Sequence, residues 1–250
     1  MIVDIHCHIP RSPFLHEIEK WIEKWKALDV VAVGCMAMNL HQSKINLELV
    51  SRHPILLAGV GIHPWKVKRK FSDKEFEELY VLVKKSDIVG EIGLDYRFVK
   101  DQHRFPLQRE FMARVLRLIS ESKKPASIHC VGAERDMYDL IVSSEVDPTL
   151  LSFHWYSGSI EYLSKFSEMG CYFSLNPAIA KSSGHQQVLE QVPPKQWLTE
   201  SDGNVKYDGI LGEPTLISSI VLPYISEKTQ MELDELKKLV YENFKHFLRR

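Results

Sequence analysis

No apolar stretch in this 250-residue sequence approaches the ~20 residues that a membrane-spanning helix needs. Nothing near the N-terminus reads as a secretion signal: the chain enters a strand-like run at once, with Asp4, His6 and His8 inside it. A cytoplasmic location is therefore expected. Cysteine is scarce, and Cys7, Cys35, Cys130 and Cys171 all lie in or beside apolar runs with no CxxC spacing. That argues against a disulfide framework and for buried, reduced thiols. An excess of positive charge is missing too. Lys and Arg number 32 against 33 Asp and Glu, a formal net charge of -1, so no global positive field advertises nucleic-acid binding. A polyanionic substrate would have to be held by local patches or by metal ions. Repeats, low-complexity tracts and linkers are also absent. With 44% hydrophobic and 26% charged residues, one domain spanning residues 1–250 is expected.

What is present is a regular alternation of two periodicities. Short apolar runs, most of them rich in β-branched or aromatic residues, recur at Ile2–Ile5, Val30–Cys35, Leu56–Gly61, Ile88–Ile92, Ala126–His129, Leu151–His154, Cys171–Ser174 and Trp197–Glu200. Segments of helical period lie between or after them: Phe14–Leu28, Ser72 to about Val83, Phe105–Ser122, Glu134–Val142, Ile160–Met169, His185–Val192, Leu216–Ile225 and Leu233–Leu248. Ser72 followed by Glu75 makes a capping box, and Gly170 stands where a helix would stop. Eight strands alternating with helices predict an α/β fold, a (β/α)8 TIM barrel; an open doubly wound sheet is the alternative. The glycine-bearing stretch Gly203–Pro214 is expected to form a mobile cover.

Six metal-binding side chains close these runs: His6 and His8 in VDIHCHI, Glu91 in IVGEIGLDY, His129 in PASIHC, His154 in LSFHWYSGS and Asp202 in WLTESDG. Residues i and i+2 of a strand share a face, so His6 and His8 point together into the barrel. One buried histidine is ordinary core. Four histidines and two carboxylates at strand ends are not, because an unpaired buried carboxylate carries a large desolvation cost and calls for a cation. Two divalent ions would supply it. In the expected centre Glu91 bridges, His6, His8 and Asp202 complete one ion, and His129 and His154 complete the other. An activated water would then be the nucleophile, with Asp202 moving its proton. Four imidazoles suit zinc, manganese or iron better than magnesium.

The set DIHCH, GIHPW, GEIGLDY, PASIHC, FHWYSGS and LTESDG, in this order, resembles the TatD-type metal-dependent deoxyribonucleases of the amidohydrolase superfamily. The resemblance runs from Met1 to about Gly203, and YENFKHFL is similar to the closing helix of the family. It implies a (β/α)8 barrel with a binuclear centre of the ligands just named. It also implies Mg2+ or Mn2+ in function and hydrolysis of phosphodiester bonds, as a 3′–5′ exonuclease on single-stranded DNA. It further implies that His63 contacts the phosphate and that Ser157 lies near it. Two stretches depart from the family pattern: HWYSG stands where HCFSG is usual, and NVKYDGILGEPTL lacks the proline expected soon after Gly203.

Residues Trp65, Lys66, Lys68, Arg69 and Lys70 could grip a nucleic-acid backbone while the indole stacks a base; a solvated basic loop is the plainer alternative. Arg97 and Arg104 have the same two readings, and Trp155 and Tyr156 either stack bases or pack the rim. The expected protein is thus a monomeric hydrolase with DNA as its substrate. Competing with it are a TatD-like ester hydrolase acting on D-aminoacyl-tRNA, a single-metal deaminase, and a metal-retaining, non-catalytic subunit of a nucleic-acid-processing complex.

Overall fold

Eight parallel strands follow one another around a single sheet in chain order in the computed structural model, which describes residues 1–11 and 13–249. They are β1 (Ile2–Cys7), β2 (Val30–Cys35), β3 (Leu56–Val60), β4 (Ile88–Asp95), β5 (Ala126–Val131), β6 (Leu151–His154), β7 (Tyr172–Leu175) and β8 (Trp197–Thr199). Neighbours from β1 through β8 are hydrogen-bonded in parallel. The seam between β8 and β1 is joined differently. The Thr199 hydroxyl donates to the Val3 carbonyl (2.6 Å), the Ser201 N–H to Asp4 (3.1 Å), and the Asp202 N–H to the His6 carbonyl (2.9 Å). The result is a nearly closed (β/α)8 barrel, and the alternative of an open doubly wound sheet is set aside. The closing bonds also draw the residues after β8 directly against His6.

The strands form where β-branched runs permit both faces to be buried, as parallel sheets flanked by helices require. Every residue of β1, β3 and β4 is buried. The helices are α1 (Ile18–Ala27), α2 (Leu40–Arg52), α3 (Asp73–Lys85), α4 (Phe105–Ser122), α5 (Glu134–Val142), α6 (Ile160–Glu168), α7 (Ser183–Gln191), α8 (Leu222–Thr229) and α9 (Leu233–Phe247). The capping box on α3 has both its bonds, Ser72 to the Glu75 N–H and Glu75 back to the Ser72 N–H. No helix among the described residues is long and apolar enough to cross a membrane.

Helix α2 has no counterpart in the hydrophobic pattern, for a physical reason. Its buried face is Ser43, Asn46 and Leu49, so two of the three inward residues are polar. Asn46 donates to the carbonyls of Cys35 and Gly59 (2.5 and 2.8 Å), satisfying the ends of β2 and β3. Other buried amides do the same work. Gln108 on α4 bonds both backbone groups of Asp95 at the end of β4, and Asn243 on α9 donates to the carbonyl of Trp197. Such residues hold strand ends in register with their helices, and the strand ends carry the site.

The stretch after Asp202 has secondary structure of its own. It folds into a small antiparallel hairpin, β9 (Lys206–Tyr207) and β10 (Ile210–Leu211). Its two-residue turn is Asp208–Gly209, with φ of 51° and 85°, the sign that a type I′ turn needs at both positions.

Candidate metal centre

The strand ends bring all six expected ligands together around Glu91. The side chain of Glu91 is buried, and each of its oxygens faces a different group. Oε1 lies 3.0 Å from His129 Nδ1, 3.1 Å from His154 Nε2 and 3.1 Å from His63 Nε2. Oε2 lies 3.2 Å from His8 Nε2 and 3.7 Å from His6 Nε2. Asp202 Oδ1 stands 3.6 Å from His8 Nε2 and 3.8 Å from His6 Nε2. Donor atoms converge within 4.8 Å of one another in three overlapping sets: His6, His8 and Glu91; His6, His154 and Asp202; and His63, Glu91 and His129. His154 therefore adjoins both halves, and His63 stands closer to the centre than a remote phosphate contact would.

These distances fit a cation better than a hydrogen-bonded cluster. Ligand atoms ~2.0–2.1 Å from a zinc-like ion stand roughly 3–3.5 Å from one another, close to the spacing seen here. Several pairs are too long for hydrogen bonds. Two imidazole nitrogens also face each other at 3.3 Å in two places, His6 with His8 and His129 with His154.

The outer hydrogen bonds of the histidines decide which of them can offer a lone pair. His6 Nδ1 meets the Ser127 hydroxyl at 2.8 Å, and His129 Nε2 meets Asp95 Oδ2 at 3.0 Å. The Asp95 carboxylate only accepts, so His129 Nε2 holds a proton and its Nδ1 can turn a lone pair inward; His6 Nε2 can do the same when the Ser127 hydroxyl accepts from Nδ1. His154 Nδ1 is 3.5 Å from Glu200 Oε1, long for a hydrogen bond but close enough to orient the ring. His63 is the opposite case. Its Nδ1 accepts from the Trp65 N–H (3.1 Å), so its Nε2 carries the proton and donates toward Glu91. Burial pushes His63 down to about 4, outweighing the attraction of Glu91, so it stays neutral at pH 7.

Ionisation follows the same geometry. Burial raises Glu91, yet in the ion-free centre the positive charges that His63 and His154 take up at low pH, with N–H groups of His129 and His154, overcome that and hold it well below the usual carboxylate range. Burial likewise opposes ionisation of Asp95, but bonds from His129, the Phe98 N–H and the Trp65 indole hold it well below its ordinary value. Asp4 behaves differently. Its Oδ1 accepts from the His6 and Ser201 N–H groups, and burial raises it to about 8, so it stays protonated at pH 7 and offers no charge to compete with Glu91.

Gly93 explains the spacing of GEIGLDY. Its φ is 144°, and a Cβ there would stand 1.9 Å from the carbonyl oxygen of His129. Only glycine lets β4 approach β5 closely enough to set Glu91 beside His129.

Above the centre opens a cavity of about 410 Å³, lined by His8, His63, Glu91, His129, His154 and Asp202 below and by Arg11, Trp65, Arg97, Phe98, Trp155 and Ser157 higher up. Of the expected substrate contacts, His63, Trp65 and Ser157 line it, whereas Lys66 is exposed and outside it. Arg69 and Lys70 are engaged by Glu75 and Glu110. Arg97 lines the cavity, but Arg104 spends its guanidinium on the carbonyls of Pro64, Trp65 and Val67 and so shapes the loop. Tyr156 is core, packed on Phe153 and Phe166, and only Trp155 remains at the rim. Sequence reasoning missed Asp95, Ser127, Glu200 and Arg11. Ser127 and Asp95 lie at even spacing from His129 and Glu91 on β5 and β4, a signal that the strand period offered, whereas Glu200 follows the end of β8 and carried no such signal.

The chain matches the family model described as TatD related DNase over residues 3–249. It is 32% identical over 254 residues to an uncharacterised metal-dependent hydrolase of Methanocaldococcus jannaschii, covering 99% of this chain and 97% of the relative. It is 24% identical over 211 residues to the 3′-5′ ssDNA/RNA exonuclease TatD of Salmonella typhimurium, covering 80% of this chain and 77% of the relative. In fold it superposes on the crystal structure of a TatD homologue from Escherichia coli with a TM-score of 0.90 at 22% identity, covering 100% of this chain and 98% of that one.

Proposed function

The chain belongs to the TatD-related DNase family of metal-dependent hydrolases, and from that premise we propose that it removes nucleotides from the 3′ end of single-stranded DNA at a two-metal centre built around Glu91. The observation that carries this reading is the two-sided carboxylate: Oε1 faces His129 and His154 while Oε2 faces His6 and His8. Such a carboxylate can serve two ions at once.

His6, His8, Asp202 and Glu91 would hold one ion, and Glu91, His129 and His154 the other. Divalent ions bound there would offset phosphate charge and make water acidic enough to ionise near pH 7. The protein's own groups do the rest. His63 presents a neutral Nε2–H at the cavity floor; it points to Glu91 here, and with ions taking up that carboxylate it would be a donor suited to a phosphate oxygen that gains charge in the transition state. Asp202 reaches the same floor and can accept a proton from the attacking water, then pass it to the departing 3′ oxygen, which leaves as a hydroxyl as its bond to phosphorus breaks. Arg97 adds a positive charge along the path of the strand. The upper walls set Trp65, Phe98 and Trp155 beside Arg11 and Arg97, which supports a substrate with flat bases beside its phosphates.

Incubation of the purified chain with end-labelled single- and double-stranded DNA tests this. Mononucleotides should appear from the 3′ end of the single strand, depend on Mg2+ or Mn2+, and stop when a chelator is added. Turnover of D-aminoacyl-tRNA with none on DNA would overturn it.

Asp95 should matter to the ions without touching them. Asp95→Asn removes the charge that sets the His129 ring, and affinity for Mn2+ should fall about 10–100-fold. Competition against a chelating dye measures it, and an unchanged affinity would separate Asp95 from the centre.

A further inference from the structure

The two segments that depart from the family pattern meet in space. Trp155 follows His154 at the end of β6, with a φ of 42° and its N–H fixed on Glu200 Oε1 at 2.9 Å. Its ring lies against Tyr207 of the hairpin, with centroids 5.6 Å apart and planes inclined by 37°. Tyr207 in turn donates its hydroxyl to the Ser201 carbonyl at 3.0 Å, and the hairpin turn is tied down by the ion pair of Asp208 with Lys181. Trp155 is thus braced from behind while its own side lines the cavity.

A second aromatic wall stands across the rim. Trp65 and Phe98 come from the segments after β3 and β4, and Trp155 and Tyr207 come from those after β6 and β8. In a barrel ordered β1 to β8, β6 stands two strands from β4 and three from β3, so Trp155 faces Trp65 and Phe98 from another part of the cavity's rim. Trp65 is fixed by its indole N–H to Asp95 at 2.6 Å, yet it remains 42% exposed and Phe98 59% exposed. Large aromatic surface kept in water beside a catalytic floor is a stacking platform for a flat partner. A base attached to the phosphate that the floor receives has that shape.

We propose that Trp155, backed by Tyr207, is a specificity-determining residue that stacks on the base of the terminal nucleotide being released. Stacking recognises the face common to all four bases, so it selects for a base without choosing among them. The hairpin's role is to hold the indole at its angle. This assignment rests on the phosphodiesterase reading given above.

The test compares wild type with Trp155→Ala, Trp155→Phe and Tyr207→Ala on two single strands, one ending in a normal nucleotide and one in an abasic nucleotide. Wild type should favour the normal end about tenfold in kcat/KM, mostly through KM. The preference should collapse toward one in Trp155→Ala, persist in Trp155→Phe and be partly lost in Tyr207→Ala. In metal-free protein, an oligonucleotide ending in 2-aminopurine should lose fluorescence on binding wild type and Trp155→Phe, but not Trp155→Ala. Equal preference and equal quenching in wild type and Trp155→Ala would overturn the proposal. If wild type releases nothing from either strand, the phosphodiesterase reading fails, and the 2-aminopurine signal alone decides the stacking.

Discussion

Glu91→Gln should lower kcat/KM on single-stranded DNA by about 10³-fold or more, the effect of losing several kcal/mol of electrostatic stabilisation. Glutamine has nearly the same shape, so packing in β4 is preserved. What changes is that one carboxylate oxygen becomes an NH2 group. Oε1 now faces His63, His129 and His154, and Oε2 faces His6 and His8, each within 3.7 Å. An amide can present its oxygen to one side only, and its NH2 would then confront inward lone pairs on the other. The variant should therefore keep a wild-type circular dichroism spectrum, bind fewer ions and release no nucleotides at rates that wild type reaches. Retention of wild-type turnover would remove Glu91 from the mechanism.

Asp202→Asn should cost about 10²–10⁴-fold in kcat, the range for loss of a positioned proton carrier. Asp202 is set by its own N–H, which donates to the His6 carbonyl at 2.9 Å, and it sits at a φ of 43° that asparagine also tolerates. The substitution therefore leaves the backbone in place and removes the ability to take a proton. The loss should be smaller on a p-nitrophenyl phosphodiester, whose leaving group departs without a proton, although the water's loss of its proton is slowed on both substrates. Equal losses on DNA and on the activated ester would remove Asp202 as the source of the leaving group's proton.

Much of this architecture was legible because two simple periods were sufficient. Strand runs marked all eight strands, and the histidines and carboxylates that close or follow them are the side chains the fold draws around Glu91. Elements were lost where function of the side chain and period disagreed. Helix α2 turns Ser43 and Asn46 inward to bond strand ends, so it shows no strong apolar face. The hairpin carried its signal in Asp208–Gly209, but its strands are only two residues each. The outer residues of the site were hidden for a different reason. Ser127 stands two before His129 on β5 and Asp95 four after Glu91 on β4, at the strand period, while Glu200 lies just past the end of β8, where no period applies. Which of them would bond a ligand depends on distances between strands far apart in sequence. Arg104 shows the same limit: its charge suggested a substrate contact, whereas three backbone carbonyls take it up.

The most direct measurement is anomalous scattering from crystals of the protein soaked in Mn2+. Two peaks about 3.5–4 Å apart, one on each side of the Glu91 carboxylate, are predicted. One should be reached by His6, His8 and Asp202 and the other by His129 and His154. A single peak away from Glu91, or none among these side chains at saturating Mn2+, would contradict the account.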